Sequence, residues 1–291
     1  MQIVYHIGAN CTDGERLTRS LAKNDETFAA QGIRVPPGGK YRRLLRETIQ
    51  NLDGREPEPD TRDILLDAIL DDESAERLVL SNPDFICIAN RIFEGGTFYG
   101  LADFKVASFR RLFPEDRVEF HLALRNPATF IPAAFAESKS PSLETYLRGV
   151  DPLSVRWSDL VTRIRAAAPD AGLTIWCNED TPLIWAQLIR ELSGVDPMTK
   201  ISGGFDLLNA IMSPEGMRRL LVYLKSHPPQ TEVQKRRVIA AFLDKFAIDE
   251  EVEEEVDLPG WTDELVDALT AAYEEDVYAI ERMNDVTFIG P

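Results

Sequence analysis

Cysteine is scarce in this 291-residue chain: Cys11, Cys87 and Cys177 are odd in number and far apart. They form neither a disulfide framework nor a metal-binding pair, and a reducing compartment suits them. Histidine is equally scarce. His6, His121 and His227 include no pair at helical spacing, and the acidic run has neither the alternation nor the glycine of a calcium loop, so no metal site is expected. Long apolar runs are missing too. No stretch approaches the ~18 residues of a membrane span, and no basic leader with a cleavage site precedes the apolar residues Ile3, Val4 and Tyr5, so a cytoplasmic location is expected. Positive charge is the last deficit. With 32 Lys and Arg against 49 Asp and Glu, the net charge of −17 repels polyanions, and neither nucleic acid nor an anionic membrane is an expected partner.

What is present suits a folded domain. Apolar residues make up 44% and charged residues 28%, an ordinary globular composition with ample material for a core. Gln2 to Gly8 reads as a strand feeding a polar turn, and Leu17, Leu21 and Phe28 place a helix after it, capped by Thr12 or Asp13 with Glu15 in its first turn. Gly32 to Gly39 is rich in breakers and reads as a loop. Further short apolar runs at Arg77 to Ser81, Val118 to Arg125 and Gly172 to Cys177 alternate with helical segments at 41–52, 61–70, 100–112, 127–137 and 157–168. This alternation predicts a three-layer α/β/α sandwich around a parallel sheet of four or five strands. Beyond about residue 205 only helical patterns recur, which predicts a sandwich domain over 1–204 and a helical extension over 205–291. The acidic run Asp249 to Asp257 reads as a solvated helix face or as a surface for a protein partner.

A loop between the first strand and its helix is where such a sheet holds phosphates. Gly8 to Arg16 occupies that place. Gly8 and Gly14 have the wrong spacing for a Walker A loop, and Glu15 stands where that loop needs lysine, so a nucleoside triphosphatase is not expected. An ordinary turn remains the other reading of the same residues. Lys40, Arg42, Arg43 and Arg46 form the densest basic cluster, either an anion-binding wall beside the loop or a helix start balanced by Glu47.

Several segments resemble the P-loop sulfotransferase-like superfamily. His6-Ile7-Gly8 before a threonine-containing turn is similar to the start of bacterial members. Leu122 to Phe135 (LALRNPATFIPAAF) resembles the family's 3′-phosphate element, while Trp157 to Val161 and Leu173 to Asp180 resemble later segments, so the likeness covers about residues 1 to 190. It implies that 3′-phosphoadenosine-5′-phosphosulfate is bound and that its sulfuryl group passes to a hydroxyl or amine of a small-molecule or carbohydrate acceptor. Asn10, Cys11, Thr12, Asp13, Gly14 and Arg16 would then cradle the phosphosulfate, and Arg125 the 3′-phosphate. Two positions depart from the family pattern: Cys11 replaces the loop lysine, and Ala133 replaces a phosphate-binding serine, for which Thr129 or Ser138 is the substitute. Glu15, Asp13, His6 and His121 are the candidate bases for the acceptor proton. Asn178 to Asp180 lie at a strand end, where they line the same crevice or cap the helix led by Pro182. Cys11 as a thiolate nucleophile lacks a neighbouring His–Asp pair. The departures also fit an inactive relative that keeps the fold as a binding module.

Overall fold

The computed structural model of the chain describes residues 1–71, 73–252 and 258–291. Six strands form one parallel sheet: β1 Gln2–His6, β2 Ile33–Arg34, β3 Arg77–Ser81, β4 Arg117–Leu124, β5 Gly172–Cys177 and β6 Thr287–Ile289. Their order is β2-β3-β1-β4-β5-β6, with helices on both faces. The α/β class and the parallel sheet expected from the sequence are therefore present.

Side-chain alternation along the strands builds the two helical layers. From β1, Ile3, Tyr5 and Ile7 enter one core with Leu122 and Leu124 of β4, and the helices Gly38–Leu52, Ala102–Leu112, Pro127–Ser138 and Trp157–Ala167 cover it. Val4 points the other way into a second core with Ala123 and Trp176, under the helices Arg16–Ala22 and Thr181–Ser193.

Two strands exceed the sequence expectation. β2 is a two-residue edge strand between Gly32 and the Pro36-Pro37 pair, inside the segment read as a loop. β6 lies in the segment read as wholly helical and pairs with β5, so the chain returns to the sheet after the helix Asp263–Glu281. That helix and the residues leading into it are tied to the sandwich by polar contacts. Asp276 Oδ2 accepts from the backbone N–H of Trp157 at 2.6 Å, while Trp261 Nε1 donates to the Ala128 carbonyl at 2.9 Å. Of the acidic run, Asp249–Val252 is helical and residues 253–257 lie outside the described part. No helix among the described residues is long and apolar enough to cross a membrane.

Candidate functional site

The connection leaving β1 runs to β2 on one side of it, and the connection leaving β4 runs to β5 on the other. A parallel sheet opens a crevice at the carboxyl ends of such a divergent pair. The loop after β1 and Arg125 after β4 meet there.

The start of the loop is fixed by the backbone. Pairing with β4 continues past β1 through Ile7 N–H to the His121 carbonyl (2.9 Å), Ala123 N–H to Gly8 (2.7 Å) and Ala9 N–H to Ala123 (3.1 Å). Gly8 has φ +105°, and a Cβ there would sit 3.0 Å from the Pro83 carbonyl, so only glycine fits. Asn10 is 2% exposed and turned inward. Its Nδ2 donates to Asp84 Oδ1 (2.9 Å) and to the Cys87 carbonyl (3.1 Å), its Oδ1 accepts from the Tyr99 hydroxyl (2.6 Å), and its backbone N–H donates to that same hydroxyl (3.2 Å). The structure thus gives Asn10 the task of pinning the loop to the segment after β3, with its side chain directed away from the crevice.

Beyond Asn10 the loop faces outward. Thr12 Oγ1 donates to the Ala9 carbonyl (2.8 Å), and Asp13 Oδ2 accepts from the Leu17 N–H (2.9 Å), so Asp13 caps the first helix. Gly14 and Glu15 both have positive φ, and the helix begins at Arg16. Arg16 is exposed and its side chain has no ion pair among the described residues. Among the described residues, the backbone N–H groups of 11–15 meet no acceptor. A run of such donors in a turn is a concave anion-binding surface.

Arg125 is buried at the end of β4. Its Nε donates to Thr129 Oγ1 at 3.2 Å, its Nη1 donates to the Cys11 carbonyl, and its own carbonyl accepts from Trp157 Nε1 at 2.9 Å. The guanidinium is therefore brought against the loop, with Thr129 beside it. Ser138, the other substitute, has its hydroxyl engaged with the Phe135 carbonyl (2.7 Å) and the Ser140 N–H (3.1 Å).

The Cys11 thiol is pushed up to about 12 by burial, with Glu137 adding to the rise and Arg125 opposing it. At neutral pH it is an uncharged thiol, which removes the thiolate nucleophile, and in neither protonation state does it carry a lysine's positive charge. Glu15 forms an ion pair with Arg42 Nη1 at 2.5 Å, and Arg42 Nε also holds the Ser81 carbonyl at 3.0 Å. His121 is not brought to the crevice. It pairs with His6 and Thr174 inside the sheet, is 2% exposed, and neither ring nitrogen has a hydrogen-bond partner among the described residues. Burial lowers its pKa, with Glu119 opposing, and burial likewise lowers that of His6, whose Nδ1 is 2.8 Å from Ser81 Oγ.

Other residues bound the site, of which Asp84 and Tyr99 had not stood out in the sequence. Asp84 and Tyr99 secure the loop, and Trp157 secures Arg125. Glu179, in the flagged segment after β5, accepts from the Asn126 N–H (2.7 Å) and from the Tyr273 hydroxyl (3.0 Å), so it braces the turn that follows Arg125. Asp180 occupies the position before the helix Thr181–Ser193 without a side-chain capping bond. The Asn82-Pro83-Asp84 turn at a strand's carboxyl end was the available hint for Asp84. Among the described residues, no three His, Cys, Asp or Glu side chains are grouped to hold a metal ion.

No protein-family model matches the chain, and neither the curated proteins nor the solved structures include a significant match.

Proposed function

We propose that the β1/β4 crevice binds 3′-phosphoadenosine-5′-phosphosulfate and that the chain is a sulfotransferase-like protein, passing the sulfuryl group to a hydroxyl or amine of a small-molecule or carbohydrate acceptor. The observation that carries this reading is the Arg125 guanidinium held against the Cys11 carbonyl, beside a loop whose amides at 11–15 meet no acceptor among the described residues. A guanidinium offers a phosphate two parallel charge-assisted bonds, and the amides offer neutral donors without a desolvated charge.

Transfer breaks the bond between sulfur and the bridging oxygen, forms one to the acceptor oxygen or nitrogen, and frees the acceptor proton. Negative charge grows on the bridging oxygen as that bond breaks. With Cys11 neutral, Arg16 is the cation the loop retains to meet this charge, and losing such a stabiliser costs about 10²–10³ in rate. Glu15 and Asp13 are the carboxylates the loop itself carries for the proton, and each already has a structural partner, Arg42 and the Leu17 N–H.

Those engagements favour a second reading, in which the fold binds the nucleotide without turnover and serves as an interaction module. The exposed acidic stretch at Asp249–Val252 is then a surface for a protein partner.

Calorimetric titration with 3′-phosphoadenosine-5′-phosphate tests the shared premise. Expected is micromolar binding, weakened about 30-fold or more in Arg125→Ala, the loss of a charged bidentate contact. Absence of saturation at about 1 mM ligand overturns the sulfotransferase reading and leaves the fold as an interaction module that does not use the nucleotide. If binding holds, sulfate transfer from the labelled donor to a panel of hydroxyl and amine acceptors separates the enzyme from the module.

A further inference from the structure

We propose that a second anion site, separate from the β1/β4 crevice, occupies the cleft of about 660 Å³ between the helix Gly38–Leu52, the segment following β3 and the helix Ala102–Leu112, and that it takes a small molecule bearing two or more phosphate, sulfate or carboxylate groups.

The argument rests on which charges line this cleft and how they are matched. Arg42, Arg43, Arg46, Arg91 and Lys105 all face it, in a chain where acidic side chains outnumber basic ones by 49 to 32. Three of the five have carboxylate partners: Arg42 with Glu15 at 2.5 Å, Arg43 with Glu47 at 2.7 Å and Arg91 with Glu94 at 2.5 Å. The side chains of Arg46 and Lys105 have no ion pair or hydrogen bond among the described residues. The single carboxylate in the lining, Asp84, already accepts from Asn10 through Oδ1.

Lys105 is half-buried, and its pKa is lowered first by burial and then by the nearby positive charges of Arg91 and Arg46. Holding half-buried Lys105 beside the exposed guanidinium groups of Arg46 and Arg91 is unfavourable without an anion to share. The fold gains nothing visible in return, since neither Arg46 nor Lys105 caps a helix or holds a carbonyl. An anion bridging them would relieve the repulsion and release none of the three existing pairs.

The ligand's size follows from the enclosure. The floor is made by Phe85, Ile86 and Phe109, which are buried, and Ile88 on the wall is 52% exposed. That volume holds a small molecule, and the net charge of −17 disfavours an extended polyanion. None of the loop residues 10–16 nor Arg125 lines the cleft, so the proposal stands whether or not the crevice binds a nucleotide.

The probe is inorganic pyrophosphate, titrated into the full chain by calorimetry at low salt. Expected is saturable one-to-one binding, weakened about tenfold or more by Arg46→Glu and by Lys105→Met. Arg125→Ala and Arg218→Glu, an exposed charge reversal on another helix, should leave affinity within about twofold. Circular dichroism checks folding, and exposed Arg46 gives a variant with no core to disturb. No saturation at about 1 mM pyrophosphate overturns the proposal. So does a loss in Arg218→Glu equal to that in Arg46→Glu, which marks a general charge effect, or a loss confined to Arg125→Ala, which places the pyrophosphate in the crevice.

Discussion

At the amino-terminal end of the sheet, Asp116 accepts from Arg62 Nε at 2.6 Å and Nη2 at 3.0 Å, and it meets the Met1 ammonium at 3.2 Å. Beside it, Glu119 accepts from Arg77 Nη2 at 2.8 Å and from Gln2 Nε2 at 2.5 Å. At the carboxyl end, among the described residues, Arg46 and Lys105 have no carboxylate and the amides of 11–15 no acceptor. Both ends belong to the same sheet and draw on the same acidic composition. The difference lies in where matching stops. Charges closed on one another hold strands and helices in place, whereas donors left open at the strand ends are available to a ligand. If this contrast is sound, damage at the amino end should cost stability and spare binding, and damage at the open part of the carboxyl end should do the reverse.

The largest expected effect is at Asp116, whose side chain is 2% exposed. Asp116→Asn leaves Arg62 and the terminal ammonium without their shared carboxylate, and breaking such a buried pair costs about 3 kcal/mol. Urea unfolding should show that loss, while pyrophosphate and nucleotide titrations stay unchanged. A loss below about 1 kcal/mol would place this pair with ordinary surface bridges and break the comparison. The wild-type carboxyl is held below its usual range because Arg62 and the ammonium outweigh the opposing effect of burial. Its contribution is therefore complete above pH ~4 and lost as acid titrates it through the lowered value.

A sharper test uses Asn10, which sits at the carboxyl end but is fully bonded. Asn10→Ala removes a partner from the buried Tyr99 hydroxyl, from the buried Cys87 carbonyl and from the exposed Asp84, and leaving the two buried groups unsatisfied should cost about 2 kcal/mol. Because Asn10 pins the loop, nucleotide affinity should fall as well, with pyrophosphate affinity intact. Equal loss of both ligands would mean that the loop and the basic cleft form one unit.

Much of the scaffold was legible in the sequence because its units are long and periodic. β3 and β5 are five and six residues of apolar, partly β-branched sequence and were bounded correctly as Arg77–Ser81 and Gly172–Cys177. β2 and β6 were not, because two or three residues carry no periodicity, and at sheet edges the pairing partner alone defines them. The loop could be located because the end of the first strand is marked by the change from apolar to polar residues, and Arg125 was singled out through the likeness of Leu122 to Phe135 to a known family's 3′-phosphate element. Their partners could not. Tyr99 lies 89 positions from Asn10, and Lys105 joins Arg46 only once the segment after β3 folds back over the sheet. His121 shows the limit from the other side: alternation places it within a strand, but which layer it faces depends on the register of its neighbours.

His121 is one of the exceptions within the closed half of the sheet, and it carries the smallest of these effects. Its Nε2 lies 3.8 Å from Glu119 Oε2, too far for a hydrogen bond, and His6, Arg77 and Glu191 are the other titratable groups acting on or beside it. Burial keeps the folded imidazole neutral to lower pH than the ordinary value of 6.5. Below that pH the unfolded chain takes up the proton first, so stability is complete above about 6.5 and falls as acid is added, by at most about 1.4 kcal/mol per pH unit for this one group. His121→Leu should keep most of the stability at pH 7.5 while flattening the decline between pH 6.5 and 5.5, read as urea midpoints at each pH. His6, whose pKa is lowered in the same way, supplies the slope that remains. An unchanged slope in the variant would mean that His121 is protonated with Glu119 as its counter-ion, closing that gap in the buried polar pairing of the sheet.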